Sequence, residues 1–84
     1  MQLVGCRKVS FKGDNGETVS GFNLYLVLSE DESSMAVVGQ EVLRLFVTDA
    51  KLADWEFDPA ENVGEEVEIE YTRYGKPGYI SKAN

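Results

Sequence analysis

Residues 71 to 79, YTRYGKPGY, place three tyrosines, an arginine and a lysine in nine positions without a single acid. Rings that stack on bases, interleaved with cations that meet phosphates, are what single-stranded nucleic-acid binding requires. Pro77-Gly78 favours a type II turn, so the spacing predicts a four-residue loop, GKPG. Tyr74 and Tyr79 then become cross-strand partners, with Lys76 at the tip and Arg73 beside them. A second group comes from two runs with period-two patterning, GFNLYLVL and EVLRLFV. Phe22, Leu24, Leu26 and Leu28 share one face of the first run, as do Leu43, Leu45 and Val47 in the second. The opposite faces carry Asn23, Tyr25 and Val27, and Val42, Arg44 and Phe46. With Lys12, the one base of the KGDNG turn, the candidate nucleic-acid-binding set is Lys12, Tyr25, Arg44, Phe46, Arg73, Tyr74, Lys76 and Tyr79.

The chain around these residues is acidic, with 15 acids against 8 bases in 84 residues and a formal charge of −7. That balance opposes charge-driven binding to phosphate backbones unless the bases are gathered in one place. They are unevenly placed. Residues 1 to 16 carry a net +2 and residues 71 to 84 a net +3, which leaves −12 on the middle of the chain. Should the two ends meet in the fold, they make one basic surface on an acidic body.

Several chemistries are disfavoured by composition. With one cysteine, Cys6, and no histidine, neither an intramolecular disulfide nor a thiolate or imidazole metal site is expected. No Ser-His or Cys-His arrangement exists, and GDNG is too short for a phosphate-cradling loop, so we expect neither an enzyme nor a cofactor. EDE at 30 to 32 lacks the ligand spacing of a calcium loop and reads as a solvated charge run. Cys6, beside Arg7 and Lys8, reads as a small buried hydrophobe. No export signal or membrane segment is read, and a cytoplasmic location is expected.

The elements that must position the candidates follow from patterning. LVGCRKVSF and ETVSGFNLYLVL, joined by KGDNG, predict a hairpin. Residues 29 to 40 predict a loop, and EVLRLFV a third strand. TDAKLADW predicts a short helix capped by Thr48 or Asp49, burying Leu52 and Trp55 along one edge. EFDPAENVG is an irregular entry to EEVEIEYTRY, where Val67, Ile69 and Tyr71 point inward and Glu66, Glu68 and Glu70 outward. GYISK is the last strand. The resulting fold class is mainly β, a single domain: a small five-stranded OB-like antiparallel barrel with one short helix between strands 3 and 4.

The same residues admit a second reading. Tyr74 and Tyr79 can serve simply to brace the hairpin, and Tyr25 with Phe46 can pack under the helix or form a homodimer or partner interface with Val42. The glutamate row is a solvated face, or a mimic of nucleic acid toward a basic partner. On KVSF, GFNLY and VGEEVEIEYTRYGK, the layout of nearly the whole chain resembles the small helix-destabilising, single-stranded DNA-binding proteins of filamentous phages. It is similar also to short proteins of bacterial phages and integrative elements. The resemblance implies an OB-like barrel acting as a dimer, with nucleic-acid contacts from Tyr25, Arg44, Phe46, Arg73, Tyr74 and Lys76.

Overall fold

A computed structural model describes residues 1–83. Five strands form two antiparallel sheets: β1 (Gln2–Lys12), β2 (Thr18–Val27) and β3 (Val42–Thr48) in the order β1-β2-β3, and β4 (Val67–Tyr71) with β5 (Pro77–Lys82). One short helix, α1 (Asp49–Asp54), and a 3-10 turn over Ala60–Asn62 lie between β3 and β4. The sheets are linked by one antiparallel bridge, Gln2 to Glu66, with backbone bonds from residues 64 to 67 around it, and β3 and β5 do not pair. The expected antiparallel strands and helix are present, but the barrel is not closed. No helix among the described residues is long and apolar enough to cross a membrane.

Both hairpins turn by the same device. At the β1–β2 tip the Gly13 N–H donates to the Glu17 carbonyl at 2.7 Å and the Gly16 N–H to the Gly13 carbonyl at 3.0 Å, with Gly16 at φ 81°. At the β4–β5 tip the Thr72 N–H donates to Lys76 O at 2.7 Å and Gly75 N–H to Thr72 O at 2.9 Å, with Gly75 at φ 77°. Each is a three-residue loop closed by a left-handed glycine. The second corrects the expected GKPG loop. Pro77 opens β5 opposite Tyr71, as a residue with no N–H to donate can at a strand's first position, and Tyr79 pairs with Glu70 instead of Tyr74.

The core is Leu3, Leu24, Leu26, Val47, Leu52, Phe57, Val67 and Ile80. These are the period-two residues of one sheet face, together with the inner residues of β4–β5, the buried edge of α1 and Phe57 beyond its end. Leu24 and Ile80 have no exposed surface, and burying a side chain of that size contributes about 1.5–3 kcal/mol. Trp55 is half-buried against this cluster, and its ring meets that of Tyr79 edge-on at 6.4 Å. Tyr71, expected to be an inward residue, is not buried; it is the last residue of β4. The register shifts after Glu70, leaving Gly78 as an extra residue in β5, and Tyr71 is 54 % exposed.

The helix starts as expected on Thr48, whose Oγ1 accepts the Lys51 N–H at 3.3 Å. It ends in a Schellman arrangement: Phe57 N–H donates to Leu52 O and Glu56 N–H to Ala53 O, both at 3.1 Å. The residue that must turn left-handed is Glu56, at φ 52°, where glycine is the unstrained choice. Replacing it should therefore help: Glu56→Gly is expected to raise unfolding free energy by about 0.5–1 kcal/mol in urea titrations, the relief of strain exceeding glycine's entropic cost. A lower midpoint would contradict this reading of the cap.

Residues 29 to 40 form the expected loop, and Glu32 anchors it. Its carboxylate accepts from the Ser29 N–H and hydroxyl, both at 2.9 Å, and pairs with the Met1 amine at 2.8 Å. The bond from that amine, then the Ser29 N–H, holds the Glu32 carboxyl below the usual range. The amine is raised in turn, chiefly by Glu32. The carboxylate's contribution is thus present above the ordinary glutamate pKa and lost as pH falls through the lowered one. The amine's is present below its ordinary pKa and lost as pH rises through the raised one. Amide exchange in residues 29 to 33 should accelerate, beyond its intrinsic pH dependence, at both ends of that window, and Glu32→Gln should remove both pH effects. A variant with wild-type protection throughout would contradict the tether.

Candidate nucleic-acid interface

The strand register decides which residues share the outer face of β1–β2–β3. Leu3 faces Leu26 and Gly5 faces Tyr25, so Val4 is an extra residue, a bulge, in β1. One extra residue inverts the alternation. Leu3 therefore reaches the core, and beyond the bulge Cys6 does so too, as a half-buried small side chain, while Arg7, Val9 and Phe11 turn outward. Cross-strand pairing places Val19, Gly21, Asn23, Tyr25 and Val27 of β2 on that same outer side, and Val42, Arg44 and Phe46 of β3.

Tyr25 and Arg44 are directly opposed, and Phe46 lies opposite Asn23, next to Arg7 one strand further. The Phe46 ring leans across Gly21 to meet Phe11, with centroids 5.6 Å apart and planes tilted by 54°. Gly21 makes that approach possible. A Cβ there would lie 2.8 Å from the Phe46 ring and 2.3 Å from the Val47 carbonyl oxygen. Three aromatic rings and two guanidinium groups thus share a face on which these strands place no carboxylate. Phe11 is 51 % exposed and Val42 71 %.

The acids lie elsewhere. Because Gln2 bridges Glu66, the outer side of the three-stranded sheet continues onto the outer side of β4, where Glu66, Glu68 and Glu70 stand exposed. A second acidic group, Asp49, Glu56 and Asp58, rims an open hollow of about 310 Å³ floored by Leu52 and Phe57 on the opposite side of the sheet. There the Lys8 ammonium pairs with Asp49 and sits 4.9 Å over the Phe22 ring. Lys8, then Ser20, holds the Asp49 carboxyl below the usual range.

The sequence-derived set is therefore divided. Tyr25, Arg44 and Phe46 come together on the outer face. Arg73, Tyr74 and Lys76 form a separate exposed group in and beside the β4–β5 loop, the Arg73 guanidinium 5.6 Å from the Tyr74 ring centre. Tyr79 stands apart against Trp55. Lys12 lies opposite Thr18 at the far end of β1 from the Gln2–Glu66 bridge, and its register places it on the other side of the sheet from Phe46. The two basic chain ends do not make one surface through Lys12. Arg7 and Phe11 were absent from the candidate set, because plain alternation from Leu3 sends both inward and only the bulge reverses them.

Comparison with protein-family models, curated proteins and solved structures yields no match to this chain.

The ring-on-glycine contact makes a direct test of this geometry. Gly21→Ala should destabilise the chain by about 1–3 kcal/mol, the usual cost of forcing atoms into a filled space. It should also shift the Phe46 and Phe11 ring resonances. A neutral substitution with unchanged ring shifts would show that Phe46 does not lie over Gly21.

Proposed function

We propose that this chain is a non-catalytic module that binds single-stranded nucleic acid on the outer face of β1–β2–β3. The observation that carries the reading is the segregation of charge: Arg7 and Arg44 share a face with Phe11, Tyr25 and Phe46 and with no acid, on a chain of net charge −7. Rings standing on a sheet offer stacking platforms at strand spacing, and the arginines supply phosphate contacts and cation–π stacking. The β4–β5 loop, with Arg73, Tyr74 and Lys76, adds an exposed second contact of the same chemistry. The strand order, with a short helix between β3 and β4 and β4 bridged back to β1, also supports an OB-like barrel open along the β3–β5 seam. The resemblance in layout to helix-destabilising phage proteins points the same way, to a phage or mobile element.

A second reading, a protein-interaction module, is favoured by one specific observation. Val9, Val19, Val27 and Val42 occupy the same face and have no part in stacking or phosphate contact. Salt separates the two readings, because phosphate binding weakens steeply with salt and apolar contact does not.

Anisotropy of a labelled oligothymidine of about 20 nucleotides, longer than the ~4–16 nucleotides that one OB fold covers, tests the first reading. Saturable binding that falls between low and physiological salt is expected. Tyr25→Ala should cost about 1–3 kcal/mol, the worth of one stacked base. Arg7→Ala with Arg44→Ala should flatten the salt slope by roughly 1.4, two contacts at about 0.7 each. Absence of binding at about 100 μM protein, the weak end of non-specific affinity, or binding indifferent to all three residues, would overturn the reading.

A further inference from the structure

Of the sheet edges, β3 offers the longest uninterrupted one. The outer edge of β4 is only five residues long, is bonded to Met1 at Val67 and carries Glu68 and Glu70 beyond it. Along β1 the first residues are covered by the chain at 64 to 67: Leu3 N–H donates to Glu65 O at 3.0 Å, Gly64 N–H to Leu3 O at 2.7 Å and Val67 N–H to Met1 O at 2.9 Å. Beyond them come the bulge at Val4 and then Lys8 and Lys12. The outer edge of β5 begins with Pro77, is broken by the extra residue Gly78 and ends with Lys82. Proline, bulges and lysines are the devices that stop an edge from recruiting another strand. β3 has none of them. Its seven residues, VLRLFVT, run in unbroken register against β2.

The outward backbone groups of β3 can be identified. Leu28 N–H donates to Glu41 O at 2.9 Å, so that pair is hydrogen-bonded, and alternation along an antiparallel ladder turns the N–H and C=O of Val42, Arg44 and Phe46 away from β2. Among the described residues no other backbone segment bonds to them.

We propose that β3 pairs antiparallel with β3 of a second copy of this chain, about a twofold axis at Leu45. The sequence is self-complementary about that position. Leu45 is the centre of Val42–Thr48, so this register overlaps the whole strand. It sets Arg44 opposite Phe46 of the second copy, a cation–π pair, Val42 opposite Thr48, and Leu43 opposite Val47. It also matches the bonding pattern, since Arg44 and Phe46 both present free backbone groups. A twofold at Arg44 would oppose two like charges, and one at Phe46 would shorten the overlap. An axis at Leu45 is the arrangement that satisfies charge, length and hydrogen bonding together.

The consequence is a continuous six-stranded sheet. Its outer face joins the two acid-free surfaces across the axis, with Tyr25, Arg44 and Phe46 of both copies at its centre and the glutamate rows of β4 at its two far ends. The pairing stands independently of the nucleic-acid reading, and its test contains no nucleic acid.

Sedimentation equilibrium of the wild-type chain from about 1 to 300 μM, the range that brackets micromolar dissociation constants, should show the mass rising from 9.3 kDa to twice that value. Leu45→Cys in a Cys6→Ser background should then oxidise to a covalent dimer. The two Leu45 positions form a non-hydrogen-bonded pair with Cα atoms about 4.5 Å apart, within disulfide reach. Leu43→Cys in the same background should remain uncrosslinked, because it faces Val47. A monomer at every concentration overturns the proposal. So does a dimer that crosslinks equally at both positions, or at neither while both variants retain the wild-type circular dichroism.

Discussion

The bulge at Val4 is the constraint on which the surface of this protein depends. Leu3 must enter the core, where it packs with Leu24, Leu26, Val67 and Ile80. Strict alternation from Leu3 would send Arg7, Val9 and Phe11 to the core side with it, and would turn Cys6 away from the core cluster and Lys8 away from Asp49. One extra residue reverses both assignments. It lets a single long strand serve the core at its start and the outer face along the rest. The same bulge sits just beyond the point where residues 64 to 67 leave β1, so it also marks the end of the contact between the two sheets.

With the faces set, the charge of the molecule becomes intelligible. A net −7 spread evenly would repel a polyanion at every approach. Here β4 gathers Glu66, Glu68 and Glu70 on one flank, the helix and its exit gather Asp49, Glu56 and Asp58 on the reverse side, and the acid-free face lies between β1 and β3. Screening over about 8–10 Å at physiological salt makes such segregation count, since a ligand on the central strands feels the nearby arginines more than the distant acids. The acids also act locally. Asp49 fixes Lys8 on the reverse side, and Glu32 ties the long loop to the start of the chain.

Much of this was legible in the sequence, and the misses share a cause. The leucine face of β2, the Thr48 cap, the Leu52 edge of the helix and the outward glutamates all follow from periodicity and capping, which depend on a few adjacent residues. Tyr25, Arg44 and Phe46 were placed together for the same reason. The errors arose where the outcome depends on more than the alternation of neighbours: the extra residue Val4, which hid Arg7 and Phe11, and the end of β4, where Tyr71 lies past the core and is exposed. At the last hairpin, Pro77-Gly78 is a strong turn signal in isolation, but Gly75 supplies the left-handed residue a three-residue loop needs, and Pro77 fits the strand end. Closure of the barrel depends on whether β3 and β5 meet, a long-range matter on which local patterning is silent.

The central claim is that the outer face of β1–β2–β3 is the ligand surface. Its most direct test is a nitrogen-15 chemical-shift map of the chain titrated with unlabelled oligothymidine, with the aromatic side chains followed in parallel. The account predicts that the largest changes fall on Arg7, Phe11, Asn23, Tyr25, Arg44 and Phe46, with a second group at Arg73 to Lys76 and none along Glu66, Glu68 and Glu70. Changes confined to the β4–β5 loop, or centred on the hollow between Asp49 and Asp58, would contradict it.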